Sequence, residues 1–433
     1  MRIVFDNLDL KPNEVITFKL HFAHSSIEGV ILGILLLNQF VFIRSLNGSS
    51  YLLGVLFQFS VVAFIFLIIF NEFIRRTKNK KNLLRKVSII TRLPLIIFLF
   101  FPVSLADING SLIYQYIFLF VFLVFYLSDP IIFPVRNLLL KTNYSHKNFG
   151  KLYSYSVSVN STIALVTAFV YGYLLDLNNF IFIYVFPIMG LLGIISIFLL
   201  SKINYEESND EIIKISIFSS ILKSLKNIKN IIINDKSFRD FEIGFMLYGF
   251  SFMITVTIIT LFFDEILNLN YSSVAFYKNS YLVIAIILTP FFGRLIGKID
   301  PRRFAIYTYV SMILSIVGLI LTDFYPIYID FVGIRFYWMI IIYIIFYGVF
   351  TTTMALLWHI GSAYFCNVNE TDIYQSIHLS ATGLRGLFAP LLGVFILELI
   401  GFSGTFIVAI VSLCLAILVM IISYKKNKLK TIN

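Results

Sequence analysis

Charge is what this sequence has least of. Asp, Glu, Lys and Arg make up 13% of its 433 residues, about half the share in average soluble domains, and its mean hydropathy is +0.90. Too few charges remain to cover a water-exposed surface, which excludes an ordinary soluble globular protein. Cysteine is nearly absent. Cys366 and Cys414 stand in no CxxC and beside no histidine cluster, which excludes a disulfide framework and gives no reason to expect structural zinc or another metal. The G-x-x-x-x-G-K-[ST] signature of nucleotide-driven pumps is missing, as is H-E-x-x-H. No cofactor is implied. The opening "MRIVFDNLDLKPNEVITFKL" is mixed in charge and lacks a small-residue cleavage site, so no cleavable leader is expected.

What the chain has instead is apolar length. Hydrophobic residues make up 59%, with 47 Phe and 25 Tyr, an aromatic surplus suited to lipid and its interfaces. A helix needs about 20 apolar residues to cross the hydrocarbon core. That ruler gives twelve segments, near 21–43, 51–72, 88–105, 112–140, 151–175, 180–200, 241–263, 274–293, 304–322, 336–360, 374–398 and 404–424. The expected class is an all-α polytopic membrane protein whose partner is the lipid bilayer.

The net charge of +11 would suggest a nucleic-acid partner in a soluble chain. Here it follows the connections. Odd-numbered loops such as "RSLNGSS" and "ADINGS" are poor in bases, whereas "RRTKNKKNLLRK" and "GRLIGKIDPRRF" are rich. With Arg44, Lys278 and Arg335 on the poor side and Arg385 inside a segment, 30 of the 34 Lys and Arg remain on the other. The positive-inside rule then puts both termini in the cytoplasm of a cell (plasma or inner) membrane. No nucleic acid is needed.

The connection after segment six stands apart. Residues 201–240 are polar and divide the chain into a bundle over 1–200 and a bundle over 241–433. Within that connection, "IIKISIFSSILKSLKNIKNII" has apolar residues at helical spacing with lysines between, as in a helix lying on the membrane surface. A plain tether between the bundles fits as well. Segments five and eleven echo each other: both are rich in Ser, Thr, Asn or Gln, and both end on a Gly, an apolar turn and an acid ("VYGYLLD", "LLGVFILE"). Such echoes indicate internal duplication, a common way of building transporters.

Ionisable groups inside membrane segments are costly and point to function. In "HFAHSSIEGV", His21, His24, Ser25 and Glu28 are spaced by three and four and share one helix face. Glu28 lies about 6–10 Å deeper than the histidines and, with His24, is a proton-coupling candidate; the histidines also fit an interfacial position. Asp129 in "YLSDPIIFPVR" is a second proton-coupling candidate if segment four continues past Pro130 and Pro134, and a boundary residue if it ends at Ser128. Arg136 falls two turns further on. In segment eleven, Thr371, Gln375, His378, Thr382 and Arg385 form one polar stripe at spacings of four, three, four and three. Such a stripe faces protein or water, never lipid. Gly383 and Gly386 allow close packing beside Arg385, and Pro390 supplies a bend. The guanidinium fork suits a substrate carboxylate or phosphate. It equally suits a structural ion pair, with Glu28 or Asp129 as the acid.

At this level the chain resembles a twelve-helix bacterial-type member of the major facilitator superfamily. The family's loop pattern G-x-L-x-D-R-x-G-R-R/K is similar to "GRLIGKIDPRR", which keeps Gly293, Leu295, Lys298 and Arg302 but has Gly297 in place of the acid. "FPVRNLLLKTNYSHKNFGKLYSYS" and "GLRGLFAPLLG" resemble the family's fourth-segment exit and an eleventh-segment pattern. The resemblance implies two pseudo-symmetric six-helix bundles, with Arg136, Gly293, Lys298 and Arg302 in gating. It also implies that segments one, four, seven and ten line a cavity, which adds Tyr248, Tyr343, Tyr347 and Thr351 to Arg385, His378, Gln375 and Thr382 as substrate-binding candidates. Each tyrosine has packing as its plain alternative.

The expected function is secondary active transport of a small organic solute by alternating access, with H+ as the coupling ion and a monomeric chain; Arg385 favours an anionic or zwitterionic solute. A multidrug exporter of the same fold is the nearest alternative, but the Gly-Pro-rich segment-five pattern of such exporters is absent from "SVSVNSTIALVTAFVYGYLLD". A polytopic membrane enzyme or a non-transporting sensor is the alternative from another class, and the histidines lack the clustering an enzyme would need. The chain is read as no enzyme.

Overall fold

The computed structural model describes residues 10–430 except 64–69, 71–72, 75–76, 110, 206–227, 297 and 367–370. Most of the expected surface helix in the central connection lies outside the described residues. Nearly everything described is helical: α1 (Pro12–Leu35), α2 (Ser50–Val62), α3 (Lys80–Arg92), α4 (Ile113–Tyr126), α5 (Asp129–Asn143), α6 (His146–Leu177), α7 (Phe182–Ser201), α8 (Lys236–Leu261), α9 (Tyr271–Ile296), α10 (Pro301–Phe324), α11 (Ile340–Ile360), α12 (Thr371–Gly386) and α13 (Ala389–Lys430).

Among the described residues, nine stretches are long and apolar enough to cross a membrane. They account for ten of the twelve expected segments, because Ile377–Lys426 contains segments eleven and twelve. Gly401, at φ 73° and ψ −177°, breaks the helix between those two, a backbone geometry glycine adopts at little cost. Segment two is represented by the shorter apolar α2. Segment three is α3 continued by a 3-10 helix over Leu93–Phe100, which begins where Pro94 removes a backbone donor.

The chain forms two compact units, residues 1–49 with 66–217, and residues 50–65 with 218–433. In the first unit, a methyl group at Gly29 would lie 2.6 Å from the Asn160 carbonyl oxygen, and one at Gly33 2.6 Å from that of Ala164. This G-x-x-x-G ridge lets the α1 backbone approach α6. At the start of α1, the buried Glu14 accepts hydrogen bonds from the backbone N–H and hydroxyl of Ser145 at 2.8 and 2.7 Å, and from Asn148 Nδ2. Neutral donors thus clamp α1 to the head of α6. Further along, Phe98, Phe118, Phe122, Phe182 and Phe186 meet in tilted and edge-to-face pairs, a geometry favoured by the ring quadrupoles.

In the second unit α2 packs on α12 and α13. Gln58 Nε2 donates to the Leu387 carbonyl at 2.7 Å, and the Tyr51 hydroxyl donates to Glu398 Oε2. The break between α12 and α13 falls just before Pro390, whose ring excludes a continuous helix. Ile407, Val411, Leu415, Leu418 and Ile422 are about half exposed along one face of α13, which is the lipid-facing pattern of a membrane helix.

Among the described residues, one element is a β-hairpin. The loop between α10 and α11 folds as a hairpin of β1 (Tyr328–Phe331) and β2 (Ile334–Tyr337). Val332 and Gly333 both have positive φ, 50° and 74°, as a two-residue type I′ turn requires. The Tyr277 hydroxyl anchors it to α9, donating to the Arg335 carbonyl at 2.7 Å and accepting from the Tyr337 N–H at 2.9 Å.

Candidate functional site

Each unit holds a buried polar constellation, and the two are chemically different. In the first unit it centres on α1. His24 is buried, and its Nδ1 lies 2.7 Å from the Ser196 hydroxyl on α7. That hydroxyl donates to Glu28 Oε1 at 2.7 Å. Since a serine has one proton to give, the His24–Ser196 bond places the hydrogen on Nδ1 of His24, running the chain from His24 through Ser196 to Glu28. His24 and Glu28 are also 3.9 Å apart directly, with the Glu28 side chain about a quarter exposed. His21 is buried too, its Nδ1 3.2 Å from the hydroxyls of Tyr144 and Ser156. His21 thus packs toward α6 and His24 toward α7 within the unit.

Asp129 opens α5, followed by Pro130 at the first helical turn. α4 and α5 together make one membrane-length stretch, Ile113–Asn143, so the carboxylate sits in mid-segment. The break at Leu127 and Ser128 leaves Asp129 exposed rather than enclosed. Arg136 is partly buried and lies 5.1 Å from the Phe133 ring.

Arg92 has surroundings that counting bases by side does not reveal. It was grouped with the cytoplasmic bases, yet it is only 3% exposed. Its Nη1 donates to the Phe125 carbonyl at 3.0 Å and to Ser128 Oγ at 2.8 Å, and its guanidinium lies 3.8 Å from the Phe125 ring centroid. Gly193 makes room, since a methyl group there would fall 3.0 Å from Arg92 Cδ. The guanidinium is electrostatically coupled to both Glu28 and Asp129. A buried cation thus faces the two candidate proton carriers. Its position inside the segment drawn at 88–105 was the available signal. Lys278, grouped with the outer loops, likewise lies within α9.

The second constellation is built on α12. His378, Thr382 and Arg385 are all buried on one face, and Thr382 Oγ1 donates to the His378 carbonyl at 3.1 Å. Arg385 Nη1 donates to the Phe245 carbonyl of α8 at 2.7 Å, and the guanidinium lies 5.4 and 5.7 Å from the Phe245 and Tyr248 rings. A methyl at Gly249 would sit 1.9 Å from Arg385 Cζ, so only glycine there admits the guanidinium. Arg385 Nε is buried without a partner. Among the described residues of its unit, no carboxylate is found at ion-pair distance of Arg385; Glu242 and the tyrosines Tyr248 and Tyr309 act on it from further off.

His378 Nδ1 lies 2.9 Å from Glu242 Oε1 on α8. Gln375, partly buried, accepts from the Ser362 hydroxyl and donates to the Trp358 carbonyl. The side chain of Thr371, the head of the expected stripe, lies outside the described residues. Tyr248 is buried and stacks on Tyr309 at 5.2 Å, and the Tyr309 hydroxyl is buried without a partner. Tyr343 stacks on Tyr347 at 5.0 Å, and Tyr281 of α9 meets Tyr347 edge-on at 4.7 Å. Thr351 is satisfied by its own helix, donating to the Gly348 carbonyl at 3.0 Å. Glu242, Tyr281, Tyr309, Arg92 and Ser196 were not singled out from sequence.

Of the loop residues, Gly293 and Lys298 are exposed. Arg302 is buried. It forks onto Asp300, Nη2 to Oδ2 at 2.7 Å and Nε to Oδ1 at 3.0 Å, and reaches Ser423 Oγ on α13 at 3.2 Å. Asp300 also caps α10, accepting from the Arg302 N–H at 2.8 Å. The acid the loop pattern lacks at Gly297 is thus met three residues later.

Two helical units, each with charged groups held inside membrane-length segments, define a polytopic carrier protein. The sequence matches the Major Facilitator Superfamily over residues 21–364, and the chain belongs to that family of transporters; it is not an enzyme. Solved structures agree on the fold. The nucleoside transporter NupG (D323A mutant) superposes with a TM-score of 0.67 at 12% identity, covering 95% of this chain and 99% of its own. A D-xylose–proton symporter gives 0.63 at 13%, covering 95% and 96%. A proton-dependent oligopeptide transporter gives 0.65 at 12%, covering 95% and 99%. Comparison with curated protein sequences finds no significant match.

Proposed function

We propose that this transporter moves a small organic anion or zwitterion across the cell membrane by alternating access, driven by protons. The observation that carries this reading is Arg385: a buried guanidinium with an unpartnered Nε and, among the described residues of its unit, no carboxylate at ion-pair distance. A buried cation is costly until something compensates it, and a substrate carboxylate or phosphate fits the fork. Gln375, Thr382, Tyr248, Tyr343, Tyr347 and Thr351 are the remaining wall in this reading. Proton coupling is assigned to Glu28, Asp129 and His24, because Arg92 interacts electrostatically with both acids and the Ser196 hydroxyl links His24 to Glu28. Protonating either one releases Arg92 from it. Residues 1–200 and 241–433 are taken as the two moving halves of a monomer, with 201–240 as the tether, both termini cytoplasmic, and Arg136, Gly293, Lys298 and Arg302 as gating residues.

The three neighbours are described as a nucleoside transporter, a xylose–proton symporter and a proton-dependent oligopeptide transporter. These precedents support a polar organic solute and proton drive. The test is uptake of pooled labelled anionic metabolites into proteoliposomes under an imposed pH gradient. Arg385→Ala should lower uptake at least tenfold, roughly 1.4 kcal/mol of binding or more, and Glu28→Gln should abolish accumulation against a gradient. Undiminished uptake in both variants would overturn the assignment.

A further inference from the structure

We infer that the hairpin between α10 and α11 is a membrane-surface anchor: one of its two faces, apolar throughout, lies against the lipid of the adjacent leaflet at the level of the headgroups. The inference goes beyond the transport reading and needs only that the chain spans a membrane.

Register sorts the hairpin into two faces, because side chains alternate along a strand and residues paired directly across the strands share a side. Ile329 pairs with Phe336 and Phe331 with Ile334. The Trp338 N–H donates to the Ile327 carbonyl at 3.1 Å, which adds Ile327 and Trp338 to the same side. Every side chain on it is apolar. Tyr328 with Tyr337 and Asp330 with Arg335 make up the other side. There Arg335 lies 3.5 Å from Asp330 and 4.8 Å from the Tyr328 ring. This polar side is turned to the loop after α8: the Tyr337 hydroxyl donates to the Leu267 carbonyl at 3.0 Å, and Arg335 Nη1 to that of Asn268 at 3.4 Å. The apolar side is turned away from that loop. Phe336 meets Phe276 of α9 at 6.2 Å, while Ile327, Ile329, Phe331 and Trp338 remain between 47% and 71% exposed. A contiguous apolar patch of this kind marks a surface that something covers.

The bonds to α9 set the depth of the hairpin. The Gly333 carbonyl accepts from Asn270 Nδ2 at 2.8 Å, the Arg335 N–H donates to Ser273 Oγ at 2.8 Å, and the Tyr337 N–H to the Tyr277 hydroxyl at 2.9 Å. β2 therefore runs alongside the first turns of α9. Four strand steps from Gly333 to Tyr337 span about 13 Å, and the seven helix steps from Asn270 to Tyr277 about 10 Å. The tip is level with the start of α9 rather than above it. α9 has 26 residues, about 39 Å of helix, against a hydrocarbon core about 30 Å thick. Even with all the excess at this end, the tip rises about 9 Å above the hydrocarbon and the base touches it. α11 gives the same level: its 21 residues cover about 31 Å, which leaves Trp338 just outside the core. The headgroup layer is about 5–7 Å thick on each side, so the hairpin stands in it, where Trp and Tyr are enriched. Phe324 and Tyr325, just before the hairpin, are exposed as well. A second copy of the chain could cover an apolar face, but it would have to displace lipid already at this depth. The anchor ties the ends of α9, α10 and α11 to one level, as interfacial aromatic residues do in setting helix tilt.

The test uses the full chain in phosphatidylcholine vesicles. Trp338 and Trp358 are the chain's two tryptophans, so Trp358→Phe leaves Trp338 as the sole reporter. Lipids brominated near the glycerol end of their acyl chains quench its emission from the membrane, and iodide quenches it from water. Trp338 should lose most of its emission to the brominated lipid and little to iodide. In a chain lacking both native tryptophans, Ile329→Trp should behave the same way. Asp330→Trp, one residue on and on the opposite face, should give the reverse pattern. If Trp358→Phe does not fold, fluorotryptophan in the otherwise native chain gives separate fluorine resonances, the Trp338 signal being the one absent from Trp338→Phe. Each added tryptophan then supplies one further resonance, and broadening by a lipid-borne nitroxide replaces quenching. Iodide quenching of Ile329→Trp as strong as that of Asp330→Trp overturns the anchor. Shielding of the apolar face from both quenchers also overturns it, and means that protein, such as a second copy of the chain, covers that face. Uptake assays that overturn the transport reading leave this measurement untouched, so the two can fail separately.

Discussion

The Ser196 hydroxyl of α7 stands 2.7 Å from Glu28 Oε1 of α1 and 2.7 Å from His24 Nδ1. A side chain with no charge therefore carries the link between the two titratable groups of the α1 face. Replacing it with alanine leaves His24 Nδ1 and one carboxylate oxygen without that partner inside the bundle. Ser196→Ala is expected to lower stability by about 1–3 kcal/mol, the cost of unsatisfied buried groups, and to shift the pH profile of uptake. Ser196→Thr should retain both. Thermal unfolding in detergent and uptake between pH 5 and 8 check it; a profile superimposable on wild type would leave Ser196 a packing residue.

Arg92 makes the opposite case, a charge whose removal strands others. Arg92→Gln deletes the two bonds from Nη1 to the Phe125 carbonyl and Ser128 Oγ and exposes Glu28 and Asp129 to each other's repulsion. Losing hydrogen bonds made by a charged group costs about 1.5–3 kcal/mol. Adding Glu28→Gln should return part of that loss, with a coupling of about 0.5–3 kcal/mol in the double-mutant cycle. Strict additivity of the two variants would show that Arg92 and Glu28 do not interact.

These pairs mark where sequence reading stops. The hydropathy ruler located the segments, and spacings of three and four placed His21, His24 and Glu28, and His378, Thr382 and Arg385, on common faces, because helix geometry fixes neighbours along one chain. Partners across helices follow no such period. Ser196 in "GIISIFLLS" and Glu242 in "RDFEIGF" look like boundary or filler residues until α7 meets α1 and α8 meets α12. Arg92, inside the segment at 88–105, escapes because counting bases assigns sides, not depth. The hairpin escaped for a local reason: its turn is Val332–Gly333, not the Asn-Gly that advertises a type I′ turn.

That same turn yields a stability prediction. A β-branched residue at φ 50° is strained, by roughly 1–2 kcal/mol for left-handed backbone in an L-residue, whereas asparagine tolerates it. Val332→Asn should therefore raise the unfolding temperature while leaving uptake unchanged. A lower unfolding temperature would mean that the exposed valine side chain contributes more than its backbone costs.

The loop after α9 offers a test of geometry against charge. Arg302 holds Asp300 through two parallel bonds and reaches Ser423 as well. Lysine keeps the charge but not the planar fork. Arg302→Lys should therefore lower thermal stability nearly as far as Arg302→Ala, and Asp300→Ala should cost about 0.5–2 kcal/mol through the lost helix cap alone. A lysine variant as stable as wild type would reduce the site to a plain charge interaction.

Gly249 gives a way to test Arg385 without touching it. A methyl there would fall 1.9 Å from the guanidinium carbon, and the helix backbone of α8 cannot yield that far, so the arginine must leave its place between Phe245 and Tyr248. Gly249→Ala should then reproduce the transport loss of Arg385→Ala, roughly tenfold or more, in a chain whose charge is intact. Gly150→Ala, in α6, is the matched control, because nothing lies within 4 Å of the added methyl and helical alanine is favoured over glycine by about 1 kcal/mol. The comparison separates position from charge: if Gly249→Ala transports as wild type while Arg385→Ala does not, the guanidinium works from a place other than the one it occupies beside Phe245.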